Sequence, residues 1–375
     1  MFKLKIFVIL ALLCLPFSGL AAGNQPENEL KHRIEVVFVL DTTGSMASLI
    51  DGAKKKIWSI ANSIIDQNPE AEVYMGLVGY RDIGDKYVTL NYPLTTDIQD
   101  IYAKLLTFQA AGGGDIPESV NEALDVAVTK QPWTAQYSTK LSKIIFLVGD
   151  APPHMDYEHD RKYPEVIKEA AQKNIIVNTV LAGDSLETSR VWKEIARLGK
   201  GDYMEIPQSG GKVVIIETPY DSDIIILQKE LTKTVVPYGS AEVQKTVRGK
   251  GDMYKDAPAA SAAEMSKYVS KSAKGKAVIT GRGDLAQDVE AGKVKLEAVK
   301  EAELPANMQK MDQAERTKYI DGNIKERKEL ADKLARKVEE RDKYIAEEKA
   351  KKAKSDPKSK DSFDKAVSDT LKKQL

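Results

Sequence analysis

Short apolar runs alternate with longer segments of helical period between residues 33 and 236. Four of the runs, RIEVVFVL, EVYMGLVGY, KIIFLVGD and NIIVNTVLAG, are rich in Val and Ile and apolar on both faces, as in parallel strands covered by helices on both sides. The alternating run YVTLNYPL predicts an antiparallel edge strand next to EVYMGLVGY. The longer segments predict helices over residues 46–67, 98–108, 117–129, 164–173, 186–198 and 222–236. We therefore predict an α/β domain with a doubly wound, mostly parallel sheet, whose functional loops lie at the carboxyl ends of the strands.

The pattern changes after residue 236. Residues 237–275 are rich in Gly, Ala, Ser and Lys without a strong period, which predicts a linker. Residues 276–375 are predicted to form a C-terminal segment with two short strands, KAVIT and KVKLEAV, and a long charged helix over 312–353. That helix has a rough heptad seam, but Arg327 and Arg341 fall on the seam, which favours packing on its own chain over a coiled coil. The apolar seam positions are Ile320, Ile324, Ala331, Leu334, Val338 and Ile345.

The balance of charges and the amino-terminal sequence restrict the functions and locations that we expect for this protein. The 56 basic and 56 acidic residues balance, so no global field draws this protein to nucleic acid or to an anionic membrane. Residues 1–22 carry Lys3 and Lys5 before an apolar stretch that ends in small residues, the order of a secretory signal peptide. We therefore expect an exported protein, periplasmic or extracellular, with no stable membrane span after cleavage. Cys14 is the only cysteine, so the mature chain would lack thiol catalysis and cysteine-based zinc sites.

The stretch VLDTTGSM places Asp41, Thr43 and Ser45 at alternate positions where the first predicted strand ends. A hard divalent cation such as Mg²⁺ prefers oxygen ligands, and Gly44 lets the backbone bend so that both hydroxyls face inward. A helix N-cap is an equally good interpretation of this stretch alone, because a hydroxyl before Met46 would satisfy free amide groups.

Two further loops bear on that choice. The run AAGGGDIPE places Asp115 and Glu118 near a predicted helix start, where acidic residues are also favoured by the helix dipole. Asp150 follows the buried strand KIIFLVG directly. Both loops are expected at the same edge of the sheet as the loop that carries Asp41.

Together, DTTGS, the GGGD loop and the strand-terminal Asp150 resemble the metal-ion-dependent adhesion site of the von Willebrand factor type A (VWA) family, over residues 33–236. The resemblance implies a Rossmann-like sheet that binds Mg²⁺, or Mn²⁺ or Ca²⁺, with an open position for an acidic group of a protein partner. After the glycine run this chain has Asp115, whereas many members of the family have Thr at that position. The implied metal ligands are Asp41, Thr43, Ser45, Asp115 and Asp150. The residues assigned to partner binding are Gly113, Gly114, Glu118 and His154.

Three alternatives compete with an adhesion module of bacterial exported type. DTTGSM also resembles the motif of haloacid-dehalogenase phosphohydrolases, with Asp41 as nucleophile, but the acid-base position is occupied by Thr43. We therefore predict no enzymatic activity. The second alternative is a structural envelope protein with a stabilising metal. The third is a zinc site in the cluster HMDYEHD, but a solvated loop is the favoured interpretation of that cluster. Arg282-Gly283-Asp284 is interpreted as a turn, although Asp284 could act as a self-ligand of the centre.

Overall fold

Six strands form one sheet in the computed structural model, which describes residues 32–114, 116–135, 140–211, 216–272, 277–355 and 363–375. The strands are β1 (Arg33–Asp41), β2 (Glu72–Tyr80), β3 (Thr89–Thr95), β4 (Leu141–Gly149), β5 (Ile175–Ala182) and β6 (Lys200–Ile206). Their order is β3-β2-β1-β4-β5-β6, and only the edge strand β3 runs antiparallel to its neighbour. The predicted doubly wound sheet and its antiparallel edge are confirmed. Strand β6 escaped prediction because its residues KGDYMEI are largely polar and only half-buried.

The helices described are α1 (Ala47–Gln67), α2 (Ile98–Thr107), α3 (Val120–Thr129), α4 (Tyr163–Gln172), α5 (Leu186–Leu198), α6 (Asp221–Lys233), α7 (Ala241–Asp256), α8 (Ala259–Ser272), α9 (Leu285–Glu290), α10 (Ala306–Gln309), α11 (Gln313–Ser355) and α12 (Phe363–Gln374). Successive residues of β1 enter different cores: Val36 and Phe38 pack with α1, α2, α8 and α12, whereas Val37 and Val39 pack with α3, α4 and α5. Burial on both faces explains why this strand reads as a continuous apolar run.

The predicted linker at 237–275 is wrong, because α7 and α8 occupy most of it. Its buried residues Tyr254, Ala262, Met265 and Tyr268 belong to the same core as α1. The apolar positions of α8 recur about every three residues, and its small Ala side chains allow close packing on α1. Frequent Ala and Ser concealed this period in the sequence.

The two short strands predicted in 276–304 are also absent from the described residues 277–304. Within KAVIT, Val278 and Ile279 are buried, but the backbone groups that follow bond to side chains rather than to a ladder. The Thr280 N–H donates to Gln99 Oε1 at 2.7 Å, and the Thr280 carbonyl accepts from Lys250 Nζ at 2.7 Å. KVKLEAV contains a 3-10 turn at Leu296–Ala298.

The long helix α11 packs on α6, α8 and α9 of its own chain, as favoured above. Two arginines on its seam are buried and paired. Arg341 Nε lies 2.8 Å from Asp221 Oδ1 at the start of α6, and Arg341 Nη1 lies 2.7 Å from Glu264 Oε1 on α8. Arg327 Nη2 donates to the carbonyl of Thr234 just beyond the end of α6 at 2.7 Å. The two arginines therefore tie α11 to both ends of α6.

Arg327 also neutralises the aspartate of the RGD tripeptide. Its Nη1 lies 2.9 Å from the buried Asp284 Oδ2, as an ion pair whose atoms are not aligned for a hydrogen bond. Burial raises the pKa of Asp284, and Arg327 only partly opposes that effect. Asp284 Oδ1 accepts from the Val236 N–H at 3.2 Å. With both oxygens engaged in the interior, Asp284 does not serve as a self-ligand of the centre.

Within the residues that the structure describes, no helix is both long enough and apolar enough to cross a membrane. The signal peptide predicted for residues 1–22 lies outside these residues.

We expect Arg327→Met to lower the free energy of unfolding by about 3–5 kcal/mol, because it leaves the buried Asp284 carboxylate unpaired. Arg336→Met, on the exposed side of the same helix, should change it by less than about 0.5 kcal/mol. The double variant Arg327→Met/Asp284→Asn should recover much of the loss. Urea unfolding followed by circular dichroism checks this, and equal effects of the two Arg→Met changes would contradict the buried pair.

Candidate metal centre

The first loop of the candidate centre begins where β1 ends. Asp41 is the last residue of β1 and pairs in register with Tyr80 of β2, at the carboxyl edge of these parallel strands. The buried Asp41 Oδ1 accepts hydrogen bonds from the Thr43 N–H at 2.8 Å and from the Thr43 hydroxyl at 2.7 Å. The hydroxyl oxygens of Thr43 and Ser45 lie 3.3 Å apart. The loop therefore brings one carboxylate and two hydroxyls together.

Neither hydroxyl caps a helix. Gly44–Met46 form a 3-10 turn that leads into α1. Thr43 precedes the turn and Met46 precedes α1, and neither residue makes a side-chain hydrogen bond that would cap the helix. A capping hydroxyl would accept from a backbone N–H two or three residues later. The structure therefore does not support the helix-cap interpretation of DTTGSM.

The glycine loop lies directly against the first loop, as expected. The Gly44 N–H donates to the Gly112 carbonyl at 3.2 Å, and the Ala111 N–H donates to the Thr42 carbonyl at 3.1 Å. Gly113 has a φ of 73°, and a Cβ there would lie 2.9 Å from Thr43 Cβ and 3.0 Å from Glu118 Oε1. Glycine at position 113 thus allows the two loops to approach at the centre.

Two carboxyl groups at the centre have strongly raised pKa values. Burial, opposed by hydrogen bonds from Thr43 and reinforced by the nearby Asp150, raises the pKa of Asp41 to about 7. Burial together with the charges of Asp41 and Asp82 raises the pKa of Glu118 to about 8. Asp41 Oδ2 and Glu118 Oε2 are buried, and neither accepts a hydrogen bond from a donor in the described residues. Such uncompensated oxygens mark a site that lacks positive charge.

Asp150 completes this edge from the end of β4. Its Oδ2 accepts a hydrogen bond from Gln208 Nε2 at 2.6 Å, and its backbone carbonyl accepts from the Thr188 hydroxyl at 3.2 Å. A Cβ at the preceding Gly149 would lie 3.1 Å from Asp41 Oδ2, so a larger residue there would crowd the Asp41 carboxylate. Sequence reasoning missed Gln208, because a lone polar residue in the loop after β6 carries no motif.

Two residues assigned to partner binding are buried, which corrects that assignment. Only 3% of Glu118 is exposed. His154 is 6% exposed, stacked on Tyr157 with ring centroids 3.9 Å apart, and its Nδ1 lies 2.8 Å from Asp156 Oδ1. Its Nε2 lies 3.4 Å from Asp82 Oδ2, so His154 supports the loops from beneath. Gly113 and Gly114 are exposed, as a partner surface requires.

The sequence also singled out Asp115 and the HMDYEHD cluster. Asp115 lies outside the described residues. Over the described ranges, no group of three or more His, Cys, Asp or Glu side chains is placed to hold a metal ion, so His154, Asp156, His159 and Asp160 form no zinc site. The candidate centre is of another kind, since Thr43 and Ser45 contribute hydroxyl oxygens.

The side chains at this edge fit a hard divalent cation. Asp41 Oδ2 is buried without a hydrogen-bond donor, and the Thr43 hydroxyl, bonded to Asp41 Oδ1, lies 3.3 Å from the Ser45 hydroxyl. A cation would offset the burial and the repulsion between carboxylates, which together raise the pKa of Asp41 and of Glu118. Carboxylate and hydroxyl oxygens are the donors that Mg²⁺ accepts while keeping waters.

Comparison with known families identifies the domain. The model of the von Willebrand factor A domain matches residues 35–218, which include all six strands except the first two residues of β1. This part of the chain is a von Willebrand factor A domain. Domains of this family typically mediate protein–protein interaction or adhesion.

The VWA domain has mammalian relatives. Mouse von Willebrand factor A domain-containing protein 7 is 35% identical over 119 residues, and the human protein of the same name is 34% identical over 119 residues. In both cases the match covers 31% of this chain and 12% of the relative, so the chain spans about an eighth of the length of these proteins.

Solved structures show weaker likeness. The SpRpn10 VWA domain is 13% identical with a TM-score of 0.35, over 48% of this chain and 89% of that chain. The pilus adhesin SpaC from Lactobacillus rhamnosus GG is 16% identical with a TM-score of 0.36, over 48% of this chain and 29% of that chain. The identification of the VWA domain rests on the family model.

We expect the metal-free domain to lose stability through Asp41 and Glu118 as pH rises. Their folded pKa values of about 7 and about 8 exceed the ordinary 3.8 and 4.5, so the folded state holds more protons between these values. The stability linked to these protonated folded forms, a few kcal/mol in order of magnitude, is fully present below about pH 4 and is lost as pH rises through about 7 and 8.

The difference in unfolding free energy between Asp41→Asn and wild type isolates this effect from other carboxylates. In urea unfolding with EDTA, the variant should gain stability relative to wild type from pH 5 to pH 8. Asp51→Asn, on an exposed position of α1, is the control and should show no such trend. A difference between Asp41→Asn and wild type that does not change with pH would contradict the raised pKa.

Proposed function

We propose that this VWA domain binds one divalent cation and uses it to engage an acidic group on a protein partner. The observation that carries the proposal is the buried Asp41 carboxyl group, whose Oδ2 accepts no hydrogen bond from the described residues while its Oδ1 accepts from the Thr43 hydroxyl, itself 3.3 Å from the Ser45 hydroxyl. Asp41, Thr43, Ser45 and Asp150 would hold the cation, and Asp115 is a further proposed ligand. Mg²⁺ is the proposed ion, with Mn²⁺ or Ca²⁺ as substitutes.

When bound, the cation supplies an electrophilic position that a partner carboxylate can complete. The chain itself orients the donors: the Thr43 N–H and hydroxyl hold Asp41 Oδ1, and Oδ2 has no hydrogen-bond donor among the described residues. Gln208 holds one oxygen of Asp150. Exposed Gly113 and Gly114 leave the approach to this edge free of side chains.

We also propose that the protein is exported, of bacterial type, to the periplasm or the extracellular space, on the strength of its amino-terminal sequence. We propose no catalytic role. In support, the position two residues after Asp41 is Thr43, whose hydroxyl donates to Asp41 and cannot act as a general acid or base near neutral pH. A purely structural metal remains the second proposal, favoured by the raised pKa values of Asp41 and Glu118 that a cation would relieve.

Calorimetric titration of Mg²⁺ and of Mn²⁺ into the purified chain tests the proposal. We expect one site, at least 100-fold weaker in Asp41→Ala, because that change removes a charged donor. Ser45→Ala should weaken binding by about 10–100-fold, in the range of a single supporting oxygen. Saturation at 100 times the dissociation constant should stabilise wild type by about 2.7 kcal/mol.

Asp51→Ala is the matched control for a lost carboxylate at an exposed site on α1 and should bind as wild type does. Circular dichroism confirms that each variant is folded. The proposal fails if neither ion binds, or if binding survives Asp41→Ala. If the ion binds tightly but no partner carboxylate binds to it, the result would favour a purely structural metal.

A further inference from the structure

Exposed aliphatic side chains gather around the candidate centre. Among the described residues, the exposed large apolar side chains are Ile83, Leu106, Ile116, Met155, Leu186 and Ile226. Four of them lie at the carboxyl edge of the sheet: Ile83 (59% exposed), Ile116 (75%) and Met155 (51%) in loops, and Leu186 (87%) at the first position of α5. We call these four residues the aliphatic rim. Large exposed apolar groups that cluster, rather than scatter singly, mark interaction surfaces.

Hydrogen bonds place two rim residues beside the glycine loop. Ile83 lies between Asp82 and Asp85, and Asp85 Oδ2 accepts from the Gly113 N–H at 3.2 Å. Asp82 Oδ1 accepts from the Ser119 hydroxyl at 2.7 Å. Ile116 precedes Glu118 by two residues in the same loop. The loops that carry Ile83 and Ile116 are therefore joined to each other.

The other two rim residues lie on the Asp150 side. Met155 follows His154, whose N–H donates to the Glu118 carbonyl at 3.1 Å. Leu186 is the first residue of α5, and the hydroxyl of Thr188, two residues later, donates to the Asp150 carbonyl at 3.2 Å. Each rim residue thus lies within two residues of a group that is hydrogen-bonded to a loop of the centre.

Charge restricts what can cover this side of the rim. Asp156 and Glu158 follow Met155, Asp184 and Glu187 flank Leu186, and all four carboxylates are exposed. A partner with several acidic residues would be repelled by these groups, whereas basic residues would be attracted. Only one partner carboxylate, directed at the centre itself, fits this charge pattern.

We propose that the partner is a protein segment with one carboxylate flanked by aliphatic side chains and bounded by basic residues. The carboxylate part rests on the proposed function, whereas the aliphatic part rests on the rim alone. Removal of large aliphatic side chains from water favours binding, so the rim supplies affinity that a single carboxylate lacks.

Fluorescence anisotropy with labelled synthetic peptides tests the inference on the full chain in Mg²⁺ and in EDTA. All peptides are amidated at the C-terminus: the probe is KVLDLVK, and its variants are KVLNLVK without the carboxylate, KSSDSSK without the aliphatic groups, and EVLDLVE with acidic ends. We expect KVLDLVK to bind in Mg²⁺ at least about tenfold more tightly than each variant peptide, tenfold corresponding to about 1.4 kcal/mol.

Protein variants separate the rim from the centre. Ile83→Ser/Leu186→Ser should weaken KVLDLVK binding about tenfold or more without changing calorimetric Mg²⁺ affinity. Ile226→Ser is the matched control, because Ile226 is 58% exposed on α6, which packs on α8 and α11. These positions are exposed, so the substitutions should leave folding intact.

The outcomes distinguish the inference from the proposed function. Equal binding of KVLDLVK and KSSDSSK, no effect of the rim variant, or no binding of KVLDLVK would overturn the aliphatic rim as a docking surface. A different result would uphold the rim and overturn the metal-mediated recognition of a carboxylate: binding that depends on the rim, is unaffected by EDTA, and is equally tight for KVLDLVK and KVLNLVK.

Discussion

The burial of the Asp41 carboxyl group at the end of the central strand β1 is the constraint on which the functional edge depends. A buried carboxylate is costly unless hydrogen bonds or positive charge offset the loss of water. Here Thr43 satisfies one oxygen, while Asp150 adds negative charge nearby. The raised pKa of Asp41 is the consequence. The neighbouring loops follow from the same constraint, because glycine at 113 and 149 keeps Cβ atoms away from Thr43 and Asp41.

The helices after the VWA domain contribute to the same fold rather than forming an appendage. Helices α8 and α12 complete the core over the face of the sheet that α1 and α2 cover. The loop after β6 connects this packing to the centre: the Phe363 N–H of α12 donates to the Gly210 carbonyl at 3.1 Å, and Gln208 of the same loop holds Asp150. The position of Asp150 therefore depends partly on the C-terminal helix.

The residues that could be recognised from sequence are those with a motif of their own. Asp41, Thr43 and Ser45 alternate after an apolar run, and the glycine run and Asp150 mark the two other loops. Gln208 and Asp82 approach the site only through folding, from loops without a recognisable pattern. Glu118 and His154 were assigned to the surface because polar residues in loops are usually exposed. Their burial depends on loops from three different strands meeting above them, which no local pattern encodes.

The α/β class, the order of most elements, the span of the long helix and the loops that carry the candidate ligands follow from the amino-acid sequence. Hydrophobic period and position at a strand end are local properties, so they can be recognised without knowledge of the contacts. The other features depend on contacts between distant parts of the chain. Residues 259–272 form α8 because α1 offers this helix an apolar face. Arg327 and Arg341, which break a heptad pattern, are buried because Asp284, Asp221 and Glu264 meet them from distant parts of the chain. A charge can be buried only where a counter-charge arrives, and that is a property of the folded chain.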